Sequence, residues 1–324
     1  GKNRLDINMC LRERGNNFLN KGSIFFYEGR NVHPGNAFGG NYYINETIKF
    51  GDQDGGSNGY SVYYKNYQGE EPIIYGGEKI TGWKKYRGDI YRTKLNIDAD
   101  FYNLTENLER SVEACTPNES NDTLESYFTV AKVGTTSGIR TRLFYKPEDI
   151  SEDLDYAGVR VKYYPEYKYG SVTLPIDSID KKEDYFWIDS TGKDNFGDSY
   201  SKWIKAFDDA QYRLIGALEF LDTPGEFYVD RKGGWLYYWP KNLPINEQEI
   251  VAPTLSRIFH IHGADTDHIA RNIHFEGLTV STTDSAEIIM RGTYCDQGPN
   301  KDSMFTLENA QNIHITDCRI MNAG

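Results

Sequence analysis

The chain has 324 residues and a formal net charge of -12, with a pI near 5.1. Phosphate backbones and anionic membrane surfaces repel such a chain at long range, and its Lys and Arg are scattered rather than gathered in a stripe, which excludes nucleic-acid partners. The low hydrophobic content of 38%, set against 25 Tyr, 16 Phe, 5 Trp and 31 Gly, describes aromatic strands broken by turns rather than a compact α/β enzyme.

In chain order, residues 5–14 carry Leu5, Ile7, Met9 and Leu11 ahead of Gly15, which is read as a short capping helix with a glycine stop. Short strands follow at Ile24-Phe25-Phe26-Tyr27, Tyr42-Tyr43-Ile44, Thr47-Ile48-Lys49-Phe50, Tyr60-Ser61-Val62-Tyr63-Tyr64 and Pro72-Ile73-Ile74-Tyr75. They are separated by Gly, Asn and Asp, and each is too short to stand alone. Between about 80 and 250 the strands lengthen and partly alternate, as at Val159-Arg160-Val161-Lys162-Tyr163-Tyr164 and Tyr185-Phe186-Trp187-Ile188, so one face is wet and the pairing antiparallel. That stretch ends in a predicted hairpin, Glu226-Phe227-Tyr228-Val229-Asp230 to Trp235-Leu236-Tyr237-Tyr238-Trp239.

After Pro253 the chain repeats itself. Phe259-His260-Ile261-His262 leads to Asn272-Ile273-His274-Phe275-Glu276-Gly277-Leu278-Thr279-Val280, and Phe305-Thr306-Leu307-Glu308 leads to Asn312-Ile313-His314-Ile315-Thr316-Asp317-Cys318-Arg319-Ile320. Stacked coils put Ile273, Phe275, Leu278 and Val280 inside, over Ile313, Ile315, Cys318 and Ile320, because one coil cannot bury its apolar face alone. The repeat stops shortly before Gly324, so further coils are expected beyond it to cover the last edge.

Three further strings are diagnostic: Asn41-Tyr42-Tyr43-Ile44-Asn45-Glu46-Thr47-Ile48; Gly76-Gly77-Glu78-Lys79-Ile80-Thr81-Gly82-Trp83; and Leu221-Asp222-Thr223-Pro224-Gly225-Glu226-Phe227-Tyr228-Val229-Asp230-Arg231-Lys232. With Asn272-Ile273-His274-Phe275-Glu276-Gly277-Leu278 after them, most of the chain resembles the right-handed parallel β-helix glycoside hydrolases. The likeness is to the group including α-L-fucosidase and xylanase activities and, more distantly, to β-helical β-xylosidases. The resemblance implies an all-β fold: an N-terminal cap and first coils at 1–80, an inserted antiparallel β-sandwich-like module at 81–252, and resumed coils at 253–324. It also implies hydrolysis of extracellular polysaccharide without an organic cofactor, in a secreted protein, extracellular or periplasmic, although the opening residues carry no signal-peptide pattern. The segment 28–40 departs from the family by its length and is given no family role.

Glycoside hydrolysis uses two carboxyl groups, about 5–5.5 Å apart for retention or roughly 6.5–9.5 Å for inversion. Adjacent coils could hold such a pair, yet the outward pairs read here are His274 with His314, Glu276 with Thr316 and Thr279 with Arg319, so the catalytic acids are expected on later coils and no catalytic residue is assigned. The long connection 281–303 carries the substrate-contact candidates Asp284, Arg291, Tyr294, Asp296 and Asp302, with Tyr294 suited to stacking on a sugar ring and Asp284 and Arg291 to bonding hydroxyls. Metal binding is not expected. Cys10, Cys115, Cys295 and Cys318 lack CxxC spacing and are read as free thiols, while His274 and His314 are read as an outward ladder beside Glu276. The aromatic run Trp235, Tyr237, Tyr238 and Trp239 is read as packing rather than as a sugar platform. Oligo- or polysaccharide is thus the expected partner, with no nucleic acid and no membrane insertion. The alternatives are a non-catalytic glycan-binding or surface structural β-helix, and a polysaccharide lyase, for whose acidic substrates a charge of -12 is poorly suited.

Overall fold

The structure, a computed structural model, describes residues 4–6, 25–27, 35–37, 39–67, 69–97, 101–118, 127–134, 140–151, 155–165, 171–189, 206–284 and 303–324. Among these residues it is all-β, broken only by short 3-10 turns such as Asp52–Asp54 and Leu218–Phe220.

Three small parallel sheets are built by successive passes of the chain. The strands Ile48–Phe50, Val62–Asn66 and Pro72–Tyr75 form one pass; Phe259–His262, Ala270–Glu276 and Thr279–Ser281 form the next; Phe305–Glu308, Ala310–Thr316 and Arg319–Met321 form a third. Each strand pairs in parallel with its counterpart in the neighbouring pass, in the register of the sequence repeat: Phe259 with Phe305, Ile273 with Ile313, Val280 with Ile320. Gly35–Ala37 and Gly40–Tyr43 extend two of these sheets on the side of the first pass.

The motif explains the corner. Asn272 and Asn312 both take the left-handed conformation, at φ 57° and 55°, which Asn tolerates better than most residues. The side chains form a ladder, Asn312 Nδ2 donating to Asn272 Oδ1 at 2.6 Å and Asn272 Nδ2 to the Gly56 carbonyl at 2.9 Å. Gly277 sits at φ 68°, and a Cβ there would meet Asn66 Oδ1 at 2.4 Å, so a larger residue would force the Asn66 side chain to move. Inside, Phe275 touches the rings of Phe50, Tyr64, Phe259 and Phe305, with centroids 5.2 to 5.6 Å away. The expected inward residues Ile273, Phe275, Leu278 and Val280 are all buried.

The chain between the first and second passes forms two antiparallel layers. In one, the paired order is Gly77–Lys79, Ile250–Pro253, Leu104–Glu106, Glu109–Glu113, Glu226–Asp230, Trp235–Tyr238, Ile90–Lys94 and Lys84–Arg87, with one parallel contact, Glu109–Glu113 on Glu226–Asp230. The other runs Cys115–Thr116, Gln211–Ile215, Arg160–Tyr163, Val172–Asp180, Tyr185–Asp189, Arg140–Phe144 and Lys132–Val133, with Phe128–Thr129 also on Gln211–Ile215. The predicted hairpin is present, Phe227 facing Tyr238 and Asp230 facing Trp235, its turn held by Gly233 N donating to Asp230 Oδ1 at 2.8 Å. The parallel stack has its own apolar cluster, a second lies within the first antiparallel sheet, and a third joins the other antiparallel sheet to Ile90 and Tyr237 of the first.

One expected element changes character. Instead of opening a helix, Arg4–Asp6 is a strand, paired antiparallel with Phe25–Tyr27. The two-residue spacing of Leu5 and Ile7 is a strand period and agrees with this strand, whereas Gly15 lies too far along to end a helix here. Residues 7–14 lie outside the described residues.

Candidate functional site

The outward row of the central parallel sheet is a ladder of rings. Tyr63, His274 and His314 stack in turn, with centroids 4.5 and 4.2 Å apart, the two imidazoles being within 10° of parallel. Burial first and the neighbouring His314 second lower the His274 pKa, so this ring stays neutral near pH 7. Glu276 faces Thr316 and Lys65 rather than a second carboxylate. Thr279, read as outward, is instead buried at 6% exposure along with Val280 and Ser281. The residues after it are engaged: Thr282 shares a hydroxyl contact of 2.9 Å with Thr105, and Thr283 and Asn322 carbonyls accept from Asn103 Nδ2 at 2.9 and 3.0 Å. Asn103, with Leu104 and Thr105, forms an Asn-x-Thr triplet, but at 0% exposure it is closed to glycosylation in the folded protein.

Asp284 lies where the parallel stack meets the antiparallel sheet. Its Oδ2 accepts from the Tyr102 backbone N–H at 2.7 Å, and its own N–H donates to the Leu255 carbonyl at 2.9 Å. The Tyr102 ring lies within 4.5 Å of both the Arg160 and the Arg231 guanidinium. Glu113 completes the group: Arg160 pairs with it directly, and Arg231 Nη1 stands 4.0 Å from its Oε1. Asp284 is therefore a partly buried carboxylate spent in part on backbone, beside a cation-rich aromatic cluster that no local sequence pattern marks. The other candidates, Arg291, Tyr294, Asp296 and Asp302, lie outside the described residues.

Two carboxylates are buried within the antiparallel region. Glu106, 1% exposed, accepts four hydrogen bonds: from Tyr238 Oη at 2.6 Å, from the Lys241 and Asn242 backbone N–H groups at 2.9 Å each, and from Asn242 Nδ2 at 3.0 Å. Burial, with Glu106 as hydrogen-bond acceptor, pushes the Tyr238 pKa up and keeps that hydroxyl a donor. Glu226, 2% exposed, is pushed up to about 7, mainly by burial, against the opposing hydrogen bonds from the Asp222 and Cys115 N–H groups. Neither faces an open surface in a way that would admit a sugar, so both are structural acids. Tyr237 and Tyr238 are buried as well, and Trp235 lies beneath Arg92 at 4.5 Å, which agrees with the packing reading of that strand. Cys115 is a buried free thiol and Cys318 a half-buried one packed where Leu278 packs in the previous pass; Cys10 and Cys295 lie outside the described residues.

The antiparallel region also carries an open cleft of about 500 Å³, lined by Tyr156, Tyr185 and Trp187 with Ser178, Ile179, Asp180, Lys181 and Lys182. Rings beside hydroxyl, carboxylate and ammonium groups suit a ligand with an apolar face and polar edges. The alternation of Tyr185 and Trp187 around buried Phe186 and Ile188 could have signalled this shared face. Also overlooked were His260 and His262, whose imidazoles meet Glu308 from the next pass. Superposing the two repeat copies puts Glu308 level with His262, so that juxtaposition was readable.

No protein-family model matches the chain. No curated protein matches it either. Among solved structures it is similar to one described as "Glycoside hydrolase", with a TM-score of 0.72 and 18% identity over 89% of this chain and 54% of that one. At that identity the shared property is the fold, and the chain spans about half the length of that relative. A second structure, described as "The complex structure of XylC with xylose", aligns at a TM-score of 0.26 with 13% identity over 76% of this chain and 30% of that one, too slight a likeness to bear on the argument. Among the described residues no helix is long and apolar enough to cross a membrane.

Proposed function

We propose that the chain belongs to a carbohydrate-active protein, a glycoside hydrolase of the parallel β-helix kind. The observation that carries this reading is the fold likeness to a glycoside hydrolase across 89% of the chain. The three passes, each visiting the three parallel sheets in the same order, support a parallel β-helix, right-handed as the sequence resemblance implies, with cap and first coils at 1–80, an inserted module at 81–252 and resumed coils at 253–324.

In this reading the substrate is a neutral extracellular polysaccharide, which a charge of -12 does not repel, and the protein is secreted. Hydrolysis falls to a carboxylate pair on further coils, because the facing pairs His274/His314 and Glu276/Thr316 offer none. The connection 281–303 contacts the sugar through Asp284, Arg291, Tyr294, Asp296 and Asp302. One observation favours a second reading, glycan binding without turnover: the cleft between Tyr156, Tyr185 and Trp187.

The test is incubation of the full-length protein with aryl glycosides and with neutral and acidic plant polysaccharides, followed by reducing-end and product analysis. Release of reducing sugar from a neutral polymer supports hydrolysis. Retention without release selects the binding reading, and unsaturated products absorbing in the ultraviolet would replace both with a lyase.

A further inference from the structure

We propose that His260, His262 and Glu308 form a binding site for a divalent transition-metal ion of the zinc class, at the edge where two passes of the parallel stack meet. The site follows from strand alternation. Phe259 and Ile261 turn inward and are buried, so His260 and His262 share the opposite face. Parallel pairing sets Glu308 of the next pass level with His262, and Thr306 level with His260.

The side chains converge on one point. His260 Nε2 and His262 Nδ1 approach the same oxygen, Glu308 Oε2, at 3.4 and 3.2 Å, and one donor atom from each of the three residues lies within 4.8 Å of the others. These separations are long for a charge-assisted hydrogen bond, which runs about 2.7–2.9 Å. They match two ligands of one ion: bonds of about 2.0–2.2 Å at tetrahedral angles put neighbouring donor atoms roughly 3.4 Å apart. Independently, His260 Nε2 is a buried polar atom without a hydrogen-bond partner. Leaving such an atom bare is costly, and a metal ion would satisfy it.

The donor set fits the assignment. Two imidazoles and a carboxylate suit zinc and its first-row neighbours, whereas calcium and magnesium prefer oxygen donors alone. Three protein ligands leave a fourth position for water, and the half-exposed His262 and Glu308, at 45% and 51%, give the ion an entry path. Lys49 stands level with His260 on the other neighbouring strand, and its charge opposes the ion. The proposal is independent of the carbohydrate reading and stands or falls without an activity assay.

Tag-free full chain is titrated with Zn²⁺ in competition with a chromophoric chelator and, separately, with Co²⁺ followed by absorption. The expected result is one ion per chain and a cobalt spectrum without a thiolate charge-transfer band. His262→Ala and Glu308→Gln should each weaken binding at least tenfold, since losing even an outer partner of a metal ligand costs about 10–100-fold. Lys49→Ala should hold or tighten binding, and His274→Ala should leave it unchanged. The Zn²⁺-induced rise in Tm should vanish in the two ligand variants. Glu308→Gln is nearly isosteric at an exposed position, so it remains informative if a histidine variant misfolds. No retained ion, binding that survives both ligand variants, a thiolate band, or loss of binding in His274→Ala would each overturn the proposal.

Discussion

The parallel stack and the antiparallel region hold themselves together differently. The stack buries an almost wholly apolar interior, Phe50, Tyr64, Ile74, Phe259, Ile261, Ile273, Phe275 and Val280, and reaches its order by repeating one pattern. The antiparallel region buries carboxylates: Glu106, held by the distant Tyr238, Lys241 and Asn242, and Glu226, held by the nearby Asp222 N–H and the distant Cys115 N–H. Repetition makes a core legible position by position, whereas a buried acid makes it depend on partners that no local pattern announces.

The contrast exists even within the stack. Ile273, Phe275 and Val280 are 0% exposed, while their counterparts in the third pass include Ile315 at 37% and Ile320 at 50%. Ile273 and Val280 each pair with a strand on both sides, so their burial rests on neighbouring passes rather than on the motif alone.

The largest expected effect comes from breaking the stack where it is covered. Phe275→Ala removes a ring packed on four others and should cost about 3–5 kcal/mol in denaturant unfolding. Glu106→Ala comes next: it strips the acceptor from the buried Tyr238 hydroxyl and from two backbone N–H groups, and should cost about 3 kcal/mol, with Glu106→Gln costing less.

Glu226 sharpens the comparison through pH. Its pKa, raised from 4.5 to about 7, means the folded protein keeps a proton that the unfolded chain has already released. The contribution of Glu226 to stability should therefore be full below about 4.5, fall by on the order of 2–3 kcal/mol as the pH rises through 7, and level off above it. Unfolding midpoints measured across that range should show this slope in the wild type and a flatter profile in Glu226→Gln.

The sequence made the repeat register readable because Asn272 and Asn312, Phe259 and Phe305, and the apolar alternation around them mark equivalent backbone positions. The hairpin from Glu226 was readable for a similar reason: aromatic alternation around an Arg-Lys-Gly-Gly turn is a local signal. The strand at Arg4–Asp6 is poorly legible because its two-residue period competes with a downstream glycine that resembles a helix stop. The nine-residue strand Val172–Asp180 went unnoticed since Pro175 and its mixed polarity interrupt any simple pattern. Of the site, only Asp284 was placed from sequence and then described, and its neighbours Tyr102, Arg160, Arg231 and Glu113 come from four separate stretches that only tertiary packing unites.

The central claim is that this scaffold handles neutral carbohydrate. Its most direct test is to follow the full-length protein against paired neutral and uronic-acid-rich polysaccharides, recording both reducing-end release and retention in affinity electrophoresis. The account predicts release from, or saturable retention by, at least one neutral polymer, with the acidic partner of that pair engaged more weakly. Neither release nor retention on any neutral polymer, or engagement of the acidic polymers alone, would contradict it.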